Sequence, residues 1–310
     1  MAINTLATAT NFQKALDVLA VREAVTGWME ANAGQVKYTG GAEVKIPKMS
    51  VQGLGDYDRD NGYLMGSATL EYETKKMTQD RGRKFQLDSM DVDETNFVTT
   101  ASSVMGEFQR TKVIPEIDAY RLSKIATEAI NANVAGMVQY GYTPGAANTS
   151  ALRKVKEGIA AIRDLGYDGP LVVHATDSFI LELELELANK ISTVNFKKGG
   201  IITKVPAVDE VPIIPTPANR LVTAIKLNDG KTSDQEKGGF EKGATAKDIN
   251  FEIMPLKTPV AISKQDKMRI FDPNTNQKAD AWAMDYRRFH DLWILENKVN
   301  SIYVSIKDSE

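Results

Sequence analysis

Three aspartates at alternate positions, Asp56, Asp58 and Asp60, are the nearest approach in this chain to a metal-ligand array. They occupy the first, third and fifth places of a calcium loop. That loop needs glycine sixth and a bidentate glutamate twelfth, where this sequence has Asn61 and Ser67. A solvated turn is the better reading. His174 and His290 are the only histidines, and neither has a second metal ligand at helical spacing. Gly53-Leu54-Gly55 lacks the third glycine of a dinucleotide fingerprint. No serine sits in a nucleophile elbow, and no loop carries the lysine and hydroxyl of a phosphate site. Cysteine is absent, which excludes disulfides, thiolate zinc sites and cysteine nucleophiles. No catalytic residue, metal or cofactor is expected. A dense charged cluster remains, Asp80, Arg81, Arg83 and Asp88. It reads as ion pairs that fix the base of a loop or bridge subunits, where charge placement sets register and partner choice.

The aspartates and the charged cluster share one segment, residues 53–94. Tyr57 to Gly62 form a polar, turn-prone tip, and Thr69 to Thr74 alternate polar with apolar as a half-exposed strand does. A two-stranded ribbon alone is marginal in water, so a neighbouring subunit is expected to complete it. Before it, Thr10 or Asn11 caps a helix with Phe12, Leu16, Leu19 and Ala20 on one side, and Gly40-Gly41 opens a strand from Glu43 that Pro47 stops. After it, Asp93 or Thr95 starts a helix through Phe97, Ala101, Val104, Met105 and Phe108. Pro115 then opens a second helix with the stripe Leu122, Ile125, Ala126, Ala129 and Ile130.

Gly141, Pro144 and Gly145 mark a linker into alternating helices and strands. Asn148 or Thr149 starts a helix with Leu152, Val155, Ile159 and Ile162, and Leu171 to His174 is a short buried strand. The run Leu181 to Leu187 alternates like a strand, but leucine and glutamate favour helix and Asp177-Ser178 supplies a cap, so helix is expected. Residues 201–227 read as short strands and 228–248 as a polar surface loop; the last fifty residues return to strands and end with the alternation Ile302 to Ile306.

A length of 310 residues allows one large or two ordinary domains, and a formal charge of −3 argues against tight binding to nucleic acid or an anionic membrane. The N-terminus has no basic start followed by an apolar run, so no signal peptide is expected, and no stretch is apolar for long enough to span a bilayer.

Several pieces of sequence occur together in a telling order. They are Gly53-Leu54-Gly55-Asp56-Tyr57, Glu73, Asp80-Arg81-Gly82-Arg83-Lys84-Phe85, Asp88, Met90 to Glu94, Val113 to Arg121, Tyr286 to Leu292, and Asn297-Lys298-Val299. In this order the chain resembles the major capsid proteins of tailed bacteriophages with the Hong Kong 97-type fold. The resemblance implies an α+β, Hong Kong 97-like capsid fold. Its parts would be an N-terminal arm (1–35), an extended β-hairpin loop with its base (36–88), a peripheral domain with a long spine helix (89–140), an axial α/β domain (141–260), and C-terminal strands returning to the peripheral domain (261–310). It implies a non-enzymatic structural protein that self-assembles, as pentamers and hexamers, into the icosahedral head of a tailed phage around double-stranded DNA. The further expected partners are a separate scaffolding protein and a portal protein, with only weak non-specific contact to DNA and none to membrane. Assembly would take place in the host bacterial cytoplasm. The candidate inter-subunit contacts are Tyr57, Asp58, Arg59, Asp60, Tyr63, Arg81 and Arg83. The alternatives are an encapsulin-like cellular compartment shell and, from another class, an α/β enzyme around residues 148–227.

Overall fold

In the computed structural model, residues 24–38, 41, 43–60, 62–88, 104–146, 149–187, 192–198, 201–271, 273, 275–276 and 279–309 are described. A 3₁₀ helix (Gly27–Gln35) leads into β1 (Lys37–Tyr38), β2 (Glu43–Val51), β3 (Ala68–Lys76) and β4 (Gln79–Asp88). Then come α1 (Ile114–Ala132), β5 (Val138–Gln139), α2 (Ala151–Asp164), β6 (Leu171–Ala175) and α3 (Asp177–Glu186). The chain continues through β7 (Ser192–Lys198), β8 (Ile201–Val208), β9 (Val211–Pro215), β10 (Ile225–Leu227), β11 (Phe240–Lys242) and β12 (Ile249–Pro255). It closes with β13 (Pro259–Phe271), β14 (Ala281–Ile294), the short α4 (Glu296–Val299) and β15 (Tyr303–Ile306).

The core is a seven-stranded mixed sheet in the order β5-β15-β12-β6-β9-β8-β7. Its middle is buried on both faces, which is why β6 is apolar almost throughout. Successive β6 residues alternate between two layers. Val172 faces α1 and the 3₁₀ helix, among Trp28, Met29, Leu122, Ile125 and Ala129. Leu171, Val173 and Ala175 face α2 and α3, among Val155, Ile162, Phe179 and Leu183. The expected stripe on α1 and the buried strand at Leu171 are both found. A second, three-stranded sheet, β13-β14-β4, packs Met268, Met284 and Tyr286 against Met105 and Phe108. A third, β1-β2-β3, is the hairpin with its short edge. The last strand, β15, does not join β13 and β14 but pairs with β12 and, in parallel, with β5.

Several local expectations are corrected. Pro47 does not end β2, which runs on to Val51 in register with β3. The other neighbour, β1, pairs only with Val44 and Lys45, so at Pro47 one side of β2 has no ladder to interrupt. Pro115 does not begin a separate helix. Residues 104–108 are helical, Gln109–Val113 form a π turn, and α1 follows without a break. The wider π turn accommodates the missing N–H and the ring of the proline without ending the rod. The rod stops at Asn133, which takes the left-handed conformation (φ 48°). The cap of α2 is Ser150, whose Oγ accepts from Arg153 N at 3.1 Å, rather than Asn148 or Thr149. Thr176, not Asp177 or Ser178, holds the capping position of α3, and Asp177 falls in its first turn. The run Leu181 to Leu187 is helical through Glu186, and Glu186 reaches back to accept from the amides of Ala151 (2.5 Å) and Leu152 (3.0 Å). The 228–248 loop contains a strand, β11, paired with β10. The linker at Gly141 to Gly145 is anchored, since Tyr142 is buried beside Phe179. The expected helix over Phe12 to Ala20 and the start of the helix at Asp93 to Ala101 lie outside the described residues.

Candidate functional site

The hairpin is an unbroken nine-pair ladder from Glu43 opposite Lys76 to Val51 opposite Ala68. Its base is anchored. Val44, Ile46 and Met77 are buried with Val260, Ile262 and Trp293 of β13 and β14. Beyond Ile46 the burial ends. Lys48 pairs with Glu296 at 2.5 Å; outward from there Met49, Val51 and Leu70 are exposed, as is Tyr72 opposite Pro47. The loop continues this into Leu54, Tyr57, Tyr63 (89 % exposed), Leu64 (70 %) and Met65 (98 %). Scattered exposed apolar residues need no explanation, but a contiguous group on one projecting element marks an interaction surface.

The tip is closed by its own backbone. Gly62 N donates to Asp58 O at 2.8 Å, and Gly62 takes φ 81°, which glycine alone adopts without strain. Asp58 Oδ1 accepts from Asp60 N at 2.9 Å, so the aspartate pattern serves an Asx turn. Among the described residues no group of three or more His, Cys, Asp or Glu is placed to hold a metal. Tyr57 and Tyr63 meet edge to face, with ring centroids 5.0 Å apart.

The seven candidate residues fall into two groups. Tyr57, Asp58, Arg59, Asp60 and Tyr63 lie at or next to the tip. Arg81 and Arg83 lie on β4 and turn to their own chain. Arg81 pairs with Glu116 in the first turn of α1 and donates to Asn228 O (3.0 Å) and Gly239 O (3.3 Å). Arg83 donates to Glu236 O at 3.1 Å. Beside them Arg287 donates twice to Asp80 and holds that carboxyl below the usual carboxylate range. The base of the hairpin is thereby fixed to the 228–239 loop and to the spine helix.

Sequence reasoning missed two features. One is the apolar half of the tip, Leu54, Leu64 and Met65, whose only signal was the lack of any amphipathic partner for them. The other is a charge network that ties the 3₁₀ helix to α1, β13 and β14. Asp118 accepts from Val25 N (3.1 Å) and from Thr26 N (3.0 Å) and Oγ1 (2.5 Å), and pairs with Arg220 at 2.9 Å. Glu30 bridges Arg121 (2.6 Å) and Arg288 (2.9 Å), which in turn holds Asp266 at 2.6 Å. Burial alone would push the Glu30 carboxyl up, but the two guanidiniums outweigh it and hold it below the ordinary range. The histidines serve packing. His174 is stacked by Trp28 and accepts from its indole N–H at 3.3 Å, and His290 stands edge-on to Tyr120 at 5.8 Å.

A projecting hairpin, a long helix across one sheet and a separate mixed α/β layer together make the Hong Kong 97-type capsid fold. Solved structures that share it include the mature capsid of bacteriophage PhiM1, with 12 % identity, 86 % of this chain and 82 % of that chain covered, and a TM-score of 0.56. The capsid of the cyanophage P-SCSP1u gives 11 %, 87 %, 84 % and 0.55. A structure from Mycobacterium phage Cain gives 9 %, 91 %, 90 % and 0.55. No protein-family model matches the sequence. No curated protein matches it either.

Proposed function

We infer that this chain is a major capsid protein, a structural subunit that assembles with itself into the icosahedral head of a tailed phage and encloses double-stranded DNA. The observation that carries the reading is the hairpin: on a fold shared with phage capsid chains, it projects apolar side chains that stay exposed among the described residues. Laid across a neighbouring copy, these side chains become buried. Such a contact is heterologous, joining one patch to a different patch on the next copy, and contacts of that kind close into rings when the rotation allows. Five- and six-membered rings joined by further contacts make a shell. The hairpin and its base (36–88) supply the overlap, residues 89–140 with β13 and β14 form the peripheral domain, residues 141–260 form the axial domain around the ring centre, and residues 1–35 act as an arm. A charge of −3 suits a wall that meets DNA without adhering to it. A separate scaffolding protein and a portal complete assembly in the host cytoplasm.

Size-exclusion chromatography and electron microscopy of the purified chain test this. Rings or shells are expected. A monodisperse monomer at all concentrations, with the scaffolding protein of its own genome also present, overturns it.

A further inference from the structure

The hairpin has a complement elsewhere on the same chain. Between β4, the π turn ahead of α1 and the 228–239 loop lies a cleft of about 470 Å³, within the range of built ligand pockets. Its floor is aromatic: Phe85 meets Phe108 at 4.9 Å, and Phe108 meets Tyr286 at 5.9 Å. Its lining carries six cations, Arg81, Arg83, Lys112, Lys231, Lys237 and Arg288, against three carboxylates, Asp80, Glu116 and Asp229, a net charge of +3. Arg81 and Arg288 are already paired, as is Asp80, and the Asp229 carboxylate caps its own turn by accepting from Lys231 N and Thr232 N. Arg83, Lys112 and Lys237 remain around the opening, together with Lys231, whose charge adds to the hydrogen bonds from Thr232 in holding the neighbouring Asp229 carboxyl below its usual range. On the floor, buried His290 keeps its Nδ1 and buried Arg288 its Nε without a hydrogen-bond partner among the described residues.

We propose that this cleft receives the hairpin tip of an adjacent copy, with Tyr57 or Tyr63 on the aromatic floor and Asp56 and Asp60 against the four cations. The tip carries a net charge of −2 between Asp56 and Asp60, counting Arg59, and its tyrosine pair is exposed in its own chain. Nine residues of strand, roughly 30 Å at about 3.3 Å per residue, separate the tip from the base of its own hairpin. A second copy is therefore the occupant that charge and shape both favour. The proposal rests on the self-assembly reading and assigns the receiving site within it. Because the attraction is between exposed charges, docking weakens as salt rises.

Two measurements test it. In the first, Lys112→Glu with Lys231→Glu and Lys237→Glu, and separately Asp56→Lys with Asp60→Lys, are each expected to raise the concentration needed for assembly at least about tenfold, while the two sets combined in one chain restore it to within about threefold. Thermal melts identify any variant that has failed to fold. In the second, the absence of cysteine is used. A copy carrying Asp60→Cys is mixed with one carrying Lys231→Cys and oxidised with diamide under assembly conditions, and a disulfide-linked dimer is expected only from the mixture. Wild-type shells with neither charge sensitivity nor cross-link overturn the cleft assignment alone. Failure of the wild type to assemble overturns the underlying reading and this proposal with it.

Discussion

Replacing Leu64 and Met65 together by serine separates an assembly surface from a folding surface. Both side chains are exposed at the hairpin tip and touch no core cluster, so their loss should change the stability of the free subunit by no more than about 0.5 kcal/mol. If a neighbouring copy covers them, each contributes about 1.5–3 kcal/mol to the contact. The pair is then worth about 3–6 kcal/mol, a weakening of about 10²- to 10⁴-fold per contact at ~1.4 kcal/mol per factor of ten. Every subunit in a ring repeats the loss, so assembly should vanish at concentrations where the wild type is complete. Light scattering reads assembly and a denaturant melt reads stability. Leu122→Ala, fully buried on α1, is the contrasting control, expected to lose about 2–5 kcal/mol of stability. The reasoning is refuted if the tip variant assembles like the wild type, or if its melt falls as far as that of the Leu122 variant.

Asp118→Ala leaves Arg220 and the amides of Val25 and Thr26 without their acceptor, and should cost about 3 kcal/mol, since Arg220 keeps a little solvent; an unchanged denaturation midpoint refutes it. Gly82→Ala places a methyl 2.7 Å from the carbonyl oxygen of Tyr286 across the β4–β14 ladder, and should cost about 1–3 kcal/mol by the same measurement. Glu252 is buried with both carboxylate oxygens unpartnered, and burial pushes its carboxyl well up. The native state therefore keeps a proton that the unfolded chain releases above about pH 4.3, and stability falls as pH rises, by ~1.4 kcal/mol per unit until the raised folded value is passed. Glu252→Met should remove that slope, and parallel stability curves from pH 5 to 7 refute the assignment. Burial drives the His290 imidazole the other way, well below its ordinary value. Its contribution is present above about pH 6.5 and is lost as pH falls toward the folded value, opposing that of Glu252 in mild acid, so replacing His290 by glutamine should make stability fall more steeply as pH rises from 5 to 6.5.

What could be read from the sequence was what depends on near neighbours. The stripe Leu122, Ile125, Ala126, Ala129 repeats within a few turns and announces the buried face of α1. The run Leu181 to Leu187 reads as helix on its propensity and an expected cap at Asp177-Ser178, which the structure moves by one residue to Thr176, and helix puts Leu183 in the core while Leu181 and Leu185 stay outside. What could not be read depends on distant partners. Nothing local tells Pro47 that β1 will be too short to reach it, and nothing local tells Ser150 that Glu186 will share its capping role. The candidate site divides in the same way. Arg59 and Arg81 look alike in sequence, but the acceptors of Arg81 lie 35, 147 and 158 positions away, so only the fold turns it inward.

Those distant contacts converge on one element and explain why an exposed hairpin can still be a precise tool. From one side of α1, Glu116 holds Arg81 at the start of β4, and Tyr120 and Lys124 hold Asp291 at 2.7 Å each. Asp291 in turn accepts from Thr78 N (2.9 Å) and Oγ1 (3.0 Å), in the two-residue joint between β3 and β4. Burial would push the Asp291 carboxyl up, and Lys124 and Tyr120 bring it below the ordinary range, so it remains charged and keeps the joint closed at neutral pH. From its other side α1 buries Leu122, Ile125 and Ala126 against the central sheet. The joint of the hairpin and the central sheet are therefore clamped to opposite sides of one rod, and the hairpin cannot swing at its base without breaking buried charged hydrogen bonds. Freedom is left to the part beyond Lys48 and its pair with Glu296, where the ladder holds the exposed strands to each other. A reach fixed at the root and compliant at the tip is what the proposed rings of five and of six would require, since near-identical contacts must then form in slightly different surroundings.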